Sequence, residues 1–140
     1  ANWFFWIAGL SLVNSLIILF NGEWSFVVGL GATQVVDGIA YAVVEDLEAN
    51  AVTTVRAIAL ALDVLIALVF AGFGWLARKR MSWAFVLGML LYVVDGLIFL
   101  LVQDWLSIGF HAFALFCIFG GYASMKKLAQ MEVQPEYTPV

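Results

Sequence analysis

Three aspartates and the single histidine of this chain, Asp37, Asp63, Asp95 and His111, stand inside long apolar runs. A carboxylate in hydrocarbon is costly unless it is paired, hydrated or protonated. Carboxylates gathered in low dielectric also repel one another, so such a cluster can keep a proton near neutral pH. Their oxygens would equally suit a hard cation, and a transition metal would recruit His111 as well. The residue types thus predict a site for protons or a cation. The metal is left open, because the sequence has no His-x-x-x-His or Glu-x-x-His spacing.

Supporting polar groups lie at helical spacing around these positions. Gly29, Thr33, Asp37 and Tyr41 recur every four residues, with Gln34 beside them. Gly88, Tyr92 and the pair Asp95-Gly96 form a similar strip, and Asp63 lies one turn from both Ala59 and Ala67. Small residues let helices approach closely, so these strips predict faces turned into a bundle. Asn14, with Ser11 and Ser15, marks a polar face on the first apolar run. Arg56 is two turns from Asp63 on the same face. There it could neutralise that carboxylate and weaken a cation site, or extend its side chain to an interface. Taken singly, each group also has a structural use. A protonated aspartate, Asn14, Thr33 or Gln34 can hydrogen-bond a neighbouring helix, and a lone histidine can be a packing residue.

The elements that must position these groups are helices in lipid. The 140 residues are 65% hydrophobic and 11% charged, with a mean hydropathy of +1.05. A soluble domain is about half apolar and about a quarter charged, and the excess cannot fit inside so small a core. The sequence predicts an all-α integral membrane protein, a bundle of five transmembrane helices at about 3–20, 26–44, 57–77, 83–102 and 106–125. Residues 1–127 form one transmembrane domain, and 128–140, which holds both prolines, is expected to be an extended or disordered cytoplasmic tail. At ~1.5 Å per residue, Asp37, Asp63, Asp95 and His111 all lie roughly 8–10 Å below the outer ends of their spans. Four helices would then present ionisable groups at one level of the outer leaflet.

Orientation follows from the basic residues. Arg78, Lys79 and Arg80, together with Lys126 and Lys127, mark the cytoplasmic side. With five crossings the N-terminus is outside, the C-terminus is cytoplasmic, and the acidic segment Glu45, Asp46 and Glu48 is outside. The short breaks at 21–23 and 103–104 predict antiparallel hairpins. Trp3, Trp6 and Trp105 fall near the outer surface, and Trp24, Trp75 and Trp83 near the inner one.

Internal similarity has two readings as a duplication, beside chance resemblance between apolar sequences. Val35-Val36-Asp37-Gly38 recurs as Val93-Val94-Asp95-Gly96, and at the same offset Glu45-Asp46 recurs as Gln103-Asp104. Spans two and three would then be a parallel copy of four and five. Alternatively Asn14, Leu16, Ile17, Glu23 and Trp24 match Asp95, Leu97, Ile98, Asp104 and Trp105, which would make spans one and two an inverted copy of four and five.

Several function classes find no support. A net charge of −4 gives no reason to expect nucleic acid. The one cysteine, Cys117, can form no disulfide within the chain and suits a packing position. There is no Gly-x-Ser-x-Gly, no visible Ser–His spacing and no phosphate-cradling loop. No lysine lies within a span to hold retinal. An enzyme is therefore the less expected outcome, and no cofactor is identified. Two functions fit. One is a transporter or channel component with an outer-leaflet Asp/His site for protons or a cation. The other is a non-catalytic accessory subunit of a larger membrane complex, whether respiratory, photosynthetic or secretory. Short helices enclose little volume, so the expected partners are the lipid bilayer and either further copies of the chain or subunits of such a complex. The expected location is the cytoplasmic (inner) membrane of a prokaryote.

Overall fold

The computed structural model describes residues 1–20, 29–45 and 47–133. The described residues form five helices: α1 (Asn2–Leu19), α2 (Gly31–Val44), α3 (Ala49–Arg78), α4 (Ser82–Leu101) and α5 (Trp105–Val133). Among them α1, α3, α4 and α5 are long and apolar enough to cross a membrane. α2 is not. Its 14 residues reach only ~21 Å, against ~30 Å of hydrocarbon. Where five membrane-length helices were expected, the described residues form four, with one half-length helix among them. Residues 26–28, the expected start of the second span, lie outside the described residues.

α2 starts half-way along α1 and runs parallel to it. The backbone N–H of Leu30 donates to Ser11 Oγ, and Ser15 Oγ donates to Asp37 Oδ2 one level further on. At the next level Tyr41 and Val44 line the same cavity as Ile18 and Leu19. Three contacts rising together along both helices exclude the antiparallel hairpin expected for the first two spans. α1 and α3 are antiparallel: Arg78 Nη2 donates to Asn2 Oδ1 at 3.0 Å, while Arg56 shares the cavity with Leu19.

Asn2 therefore stands at the end of the bundle that carries Arg78, the start of α4 and the Lys126 end of α5. α1 starts and α5 ends at this one basic end, whereas five full-length antiparallel helices would have put them at opposite ends. Trp3 and Trp6 belong to the basic half with Trp75 and Trp83, and Trp105 stands at the opposite end. Trp24 lies outside the described residues. At the basic end Arg78 lies over the Phe5 ring and Lys79 over Trp75, as suits a charged and aromatic rim at a membrane surface. α5 continues to Val133, beyond the expected start of the tail at 128. Good helix formers fill this stretch, and Arg80 grips Glu132 through two bonds of 2.7 and 2.8 Å. Residues 134–140 lie outside the described residues.

The turns at the two ends of α4 are built alike. Arg80 (φ 61°) and Gln103 (φ 56°) adopt the left-handed conformation that stops a helix. After α3, the N–H of Met81 reaches back to Leu76 O and that of Arg80 to Ala77 O. After α4, the N–H of Asp104 reaches Phe99 O and that of Gln103 reaches Leu100 O. Asp104 then caps α5, accepting the backbone N–H and the hydroxyl of Ser107.

The basic half is closed by aromatic packing. Phe4, Phe70, Phe85 and Tyr92 are buried, with Phe73 against them and ring centroids 6.1–6.4 Å apart. Phe4 is fully buried and fits only because position 88 is glycine, where a Cβ would stand 2.6 Å from the Phe4 ring. The outer apolar surface is extensive. Leu65 and Leu68 on α3 and Phe116 on α5 are exposed, as lipid-facing residues must be.

Gly88→Ala should lower stability by about 1–3 kcal/mol through overpacking. Gly72→Ala, whose Cβ meets nothing within 4 Å, should be neutral or mildly stabilising; unfolding of the two variants in detergent compares them. The bonds from the Ser107 hydroxyl and backbone hold the Asp104 carboxyl below the usual carboxylate range. A depressed carboxyl contributes stability above its unfolded pKa of about 3.9 and loses it as pH falls through the folded value. Asp104→Asn should therefore melt below the parent at neutral pH, and the two curves should converge well under pH 4.

Candidate functional site

A helix that begins inside a bundle must find partners for its first backbone N–H groups. α2 finds them on two other helices. Leu30 N–H donates to Ser11 Oγ at 2.7 Å, and that hydroxyl donates in turn to Ile7 O. Gly31 N–H donates to Asp95 Oδ2 at 2.7 Å and Ala32 N–H to Asp95 Oδ1 at 2.9 Å, so one carboxylate from α4 straddles the end of α2. Glycine is required at position 31, since a Cβ there would stand 2.9 Å from Asp95 O and 3.0 Å from the Phe99 ring. Thr33 turns back on this end and donates to Leu30 O.

His111 completes the cluster. Its Nδ1 lies 2.9 Å from Ser107 O, an acceptor only, so Nδ1 carries the hydrogen. Nε2 lies 3.0 Å from Asp95 Oδ2, so α5 is tied to the same carboxylate that holds the start of α2. The Tyr92 ring stacks on the imidazole at a centroid distance of 4.3 Å and 16° between planes. The Tyr92 hydroxyl is buried without a hydrogen-bond partner among the described residues.

A second cluster lies further along α2. Asp37 is six residues beyond Gly31, ~9 Å along the helix axis, and accepts the Ser15 hydroxyl at 3.0 Å. Asp63, on α3, is completely buried. Its carboxyl is close enough to Ser15 and Asp37 to interact with both, yet neither oxygen has a hydrogen-bond partner among the described residues. Asp37 and Ser15 line a cavity of about 460 Å³ together with Leu19, Tyr41, Arg56 and Leu60. Its lining residues belong to the half of the bundle away from the basic end.

The residues singled out by the sequence are thus brought together in two clusters. Asp37 joins Asp63, and Asp95 joins His111 with Tyr92 stacked upon it. Arg56 and Tyr41 line the cavity, and Tyr41 is largely exposed there. Asn14 is buried on α1, close to Gly29. Thr33 serves the start of α2, and Gln34 is half-buried. Among the described residues no group of three or more His, Cys, Asp or Glu could hold a metal ion.

Sequence reasoning missed the largest contributors: the backbone N–H groups of Gly31 and Ala32, which no side-chain pattern announces. It noted Ser11 and Ser15 as a polar face but gave them no part in the site, and it gave Ser107 none. Comparison of the chain with protein-family models, curated proteins and solved structures finds no match.

Asp95→Ala would strip an acceptor from two buried amides and from His111 at once. It should cost about 3–5 kcal/mol, the range for breaking a buried charged pair from one side. Asp95→Asn keeps one acceptor oxygen and should cost less. Unfolding of the purified protein in detergent measures both, and parental stability in Asp95→Ala would exclude a role in holding α2.

Proposed function

We propose that this chain is a small membrane transporter or channel component in which Asp37 and Asp63 take up a proton or a small cation from the aqueous phase. The observation that carries the reading is the pair itself. A fully buried aspartate with both oxygens unpartnered among the described residues lies beside a second aspartate that lines a cavity. A carboxyl kept in this state has no evident structural use, and a buried ionisable group in a membrane helix is by default a candidate for function.

The excess of basic residues favours a cytoplasmic location for the end that carries Arg78, Lys79, Arg80, Lys126 and Lys127. The cavity would then open to the outside, under Glu45 and Glu48, whose charges would enrich cations there in a salt-dependent way. The setting proposed is the inner membrane of a prokaryote. The Phe4, Phe70, Phe73 and Phe85 cluster closes the path to the other side. Passage therefore requires movement, and α2 is the suitable mover: it is short and its buried end is held by replaceable hydrogen bonds. Asp95 and His111 would hold α2 in place and would not carry the ion.

Asp37→Asn and Asp63→Asn, reconstituted separately in liposomes with a pH-sensitive dye, should each lower ion-coupled proton flux at least about tenfold, the kinetic equivalent of ~1.4 kcal/mol. Asp104→Asn should flow like the parent. Unchanged flux in both of the first two variants would dismiss the proposal.

A further inference from the structure

We propose that Asp37, Asp63 and Ser15 bind one monovalent metal cation, sodium being the test ion, in competition with one proton. This rests on the reading of the two aspartates as an ion site and names the ion. Every donor in the cluster is a hard oxygen: two carboxyls and the Ser15 hydroxyl. No histidine or cysteine joins them, so a transition metal has no ligand to prefer here.

Charge decides between one proton and more. Two interacting carboxylates, one fully buried and the other nearly so, need a positive charge between them. A proton shared by the pair leaves one negative charge, and so does one sodium ion. The two loaded forms therefore have the same net charge and the same demand on their surroundings, which makes them exchangeable. A divalent ion fits less well. Arg56 lines the same cavity and disfavours a second positive charge. Magnesium also gives up its water reluctantly and demands six near-ideal ligands, while Asp63 is sealed from solvent.

The groups facing the pair are accounted for on each neighbouring helix. α1 presents Ser15; α2 presents Asp37 and Tyr41; α3 presents Asp63 and Arg56. The Asp95–His111 pair of α4 and α5 is held at the start of α2. Ser15 is the hinge of the cluster. It now donates to Asp37, and by turning its hydrogen aside it offers an oxygen lone pair to a cation.

The test is a proton-release titration on the full chain in lipid nanodiscs at neutral pH, weakly buffered, with choline chloride as the background salt. Adding sodium chloride should release up to about one proton per chain and should raise the unfolding temperature, as any ligand of the folded state does. Asp37→Asn and Asp63→Asn should abolish both effects, and Asp104→Asn should keep both. The wild-type titration needs no variant, so misfolding of one cannot hide the answer. If sodium released no proton and shifted no melting curve while the two variants still lost flux, the site would be for protons alone. The present inference would then fall and the transport reading would stand. Release by magnesium but not by sodium would overturn it equally. If the variants also kept full flux, both readings would fall.

Discussion

The straddling of α2's first amides by the Asp95 carboxylate is the constraint on which the rest of this structure depends. A helix end exposed to hydrocarbon leaves backbone donors that no water can satisfy, and each is costly. α2 can begin in the middle of the bundle only because α4 brings a carboxylate and α1 a hydroxyl to the same point. His111 then bonds that carboxylate from α5, and Ser107 and Tyr92 fix the ring. Because α2 begins there and not at a membrane surface, Asp37 falls opposite Ser15 and Asp63, and the space beside its far half becomes the cavity.

That same feature explains which parts of the fold were legible in the sequence. The long helices were, since hydropathy and length select α1 and α4 to within a residue or two, while α3 begins eight residues before its expected start, at Ala49, and α5 runs eight residues past its expected end, to Val133. The half-length of α2 was not. Its cap position is Leu30, a residue with no capping side chain, because the acceptors come from Ser11 and Asp95 in other helices. Local cap signals are silent when a cap is delivered from elsewhere. α2 runs parallel to α1 and not back against it, so Asn2 and Arg78 meet at one end of the bundle although parity counting had put them at opposite ends. The difference lies in the number of membrane-length helices, four among the described residues and not five.

For the site, the identity of the buried groups was legible and their partition was not. A depth count placed Asp37, Asp63, Asp95 and His111 at one level, but it assumed that each helix spans the full thickness. The repeated Val-Val-Asp-Gly shows the consequence. α2 and α4 run in the same direction, and so do α3 and α5. These directions agree with a parallel copy, while the matching directions of α1 and α4 exclude the inverted one. Yet Asp37 lies in the second turn of its short helix and Asp95 well inside its long one. One copy of the motif therefore faces a cavity with a serine, while the other grips a helix end with a histidine. Identical residues acquired different chemistry because the helices that carry them start at different heights.

The two halves of the bundle differ in what would have to change for an ion to pass. In the basic half rings interdigitate around Phe4 and Gly88, and opening a path there means separating aromatic surfaces across several helices at once. In the other half polar groups hold α2 by a few directed bonds, each of which water from the cavity could replace at little net cost once it arrived. A displacement of α2 would release the Gly31 and Ala32 amides from Asp95 and leave that carboxylate with His111 alone. The two clusters are therefore mechanically joined through one short helix. Any charge placed between Asp37 and Asp63 bears on α2 at its middle, and the bonds it strains first are those that Asp95 makes at its end.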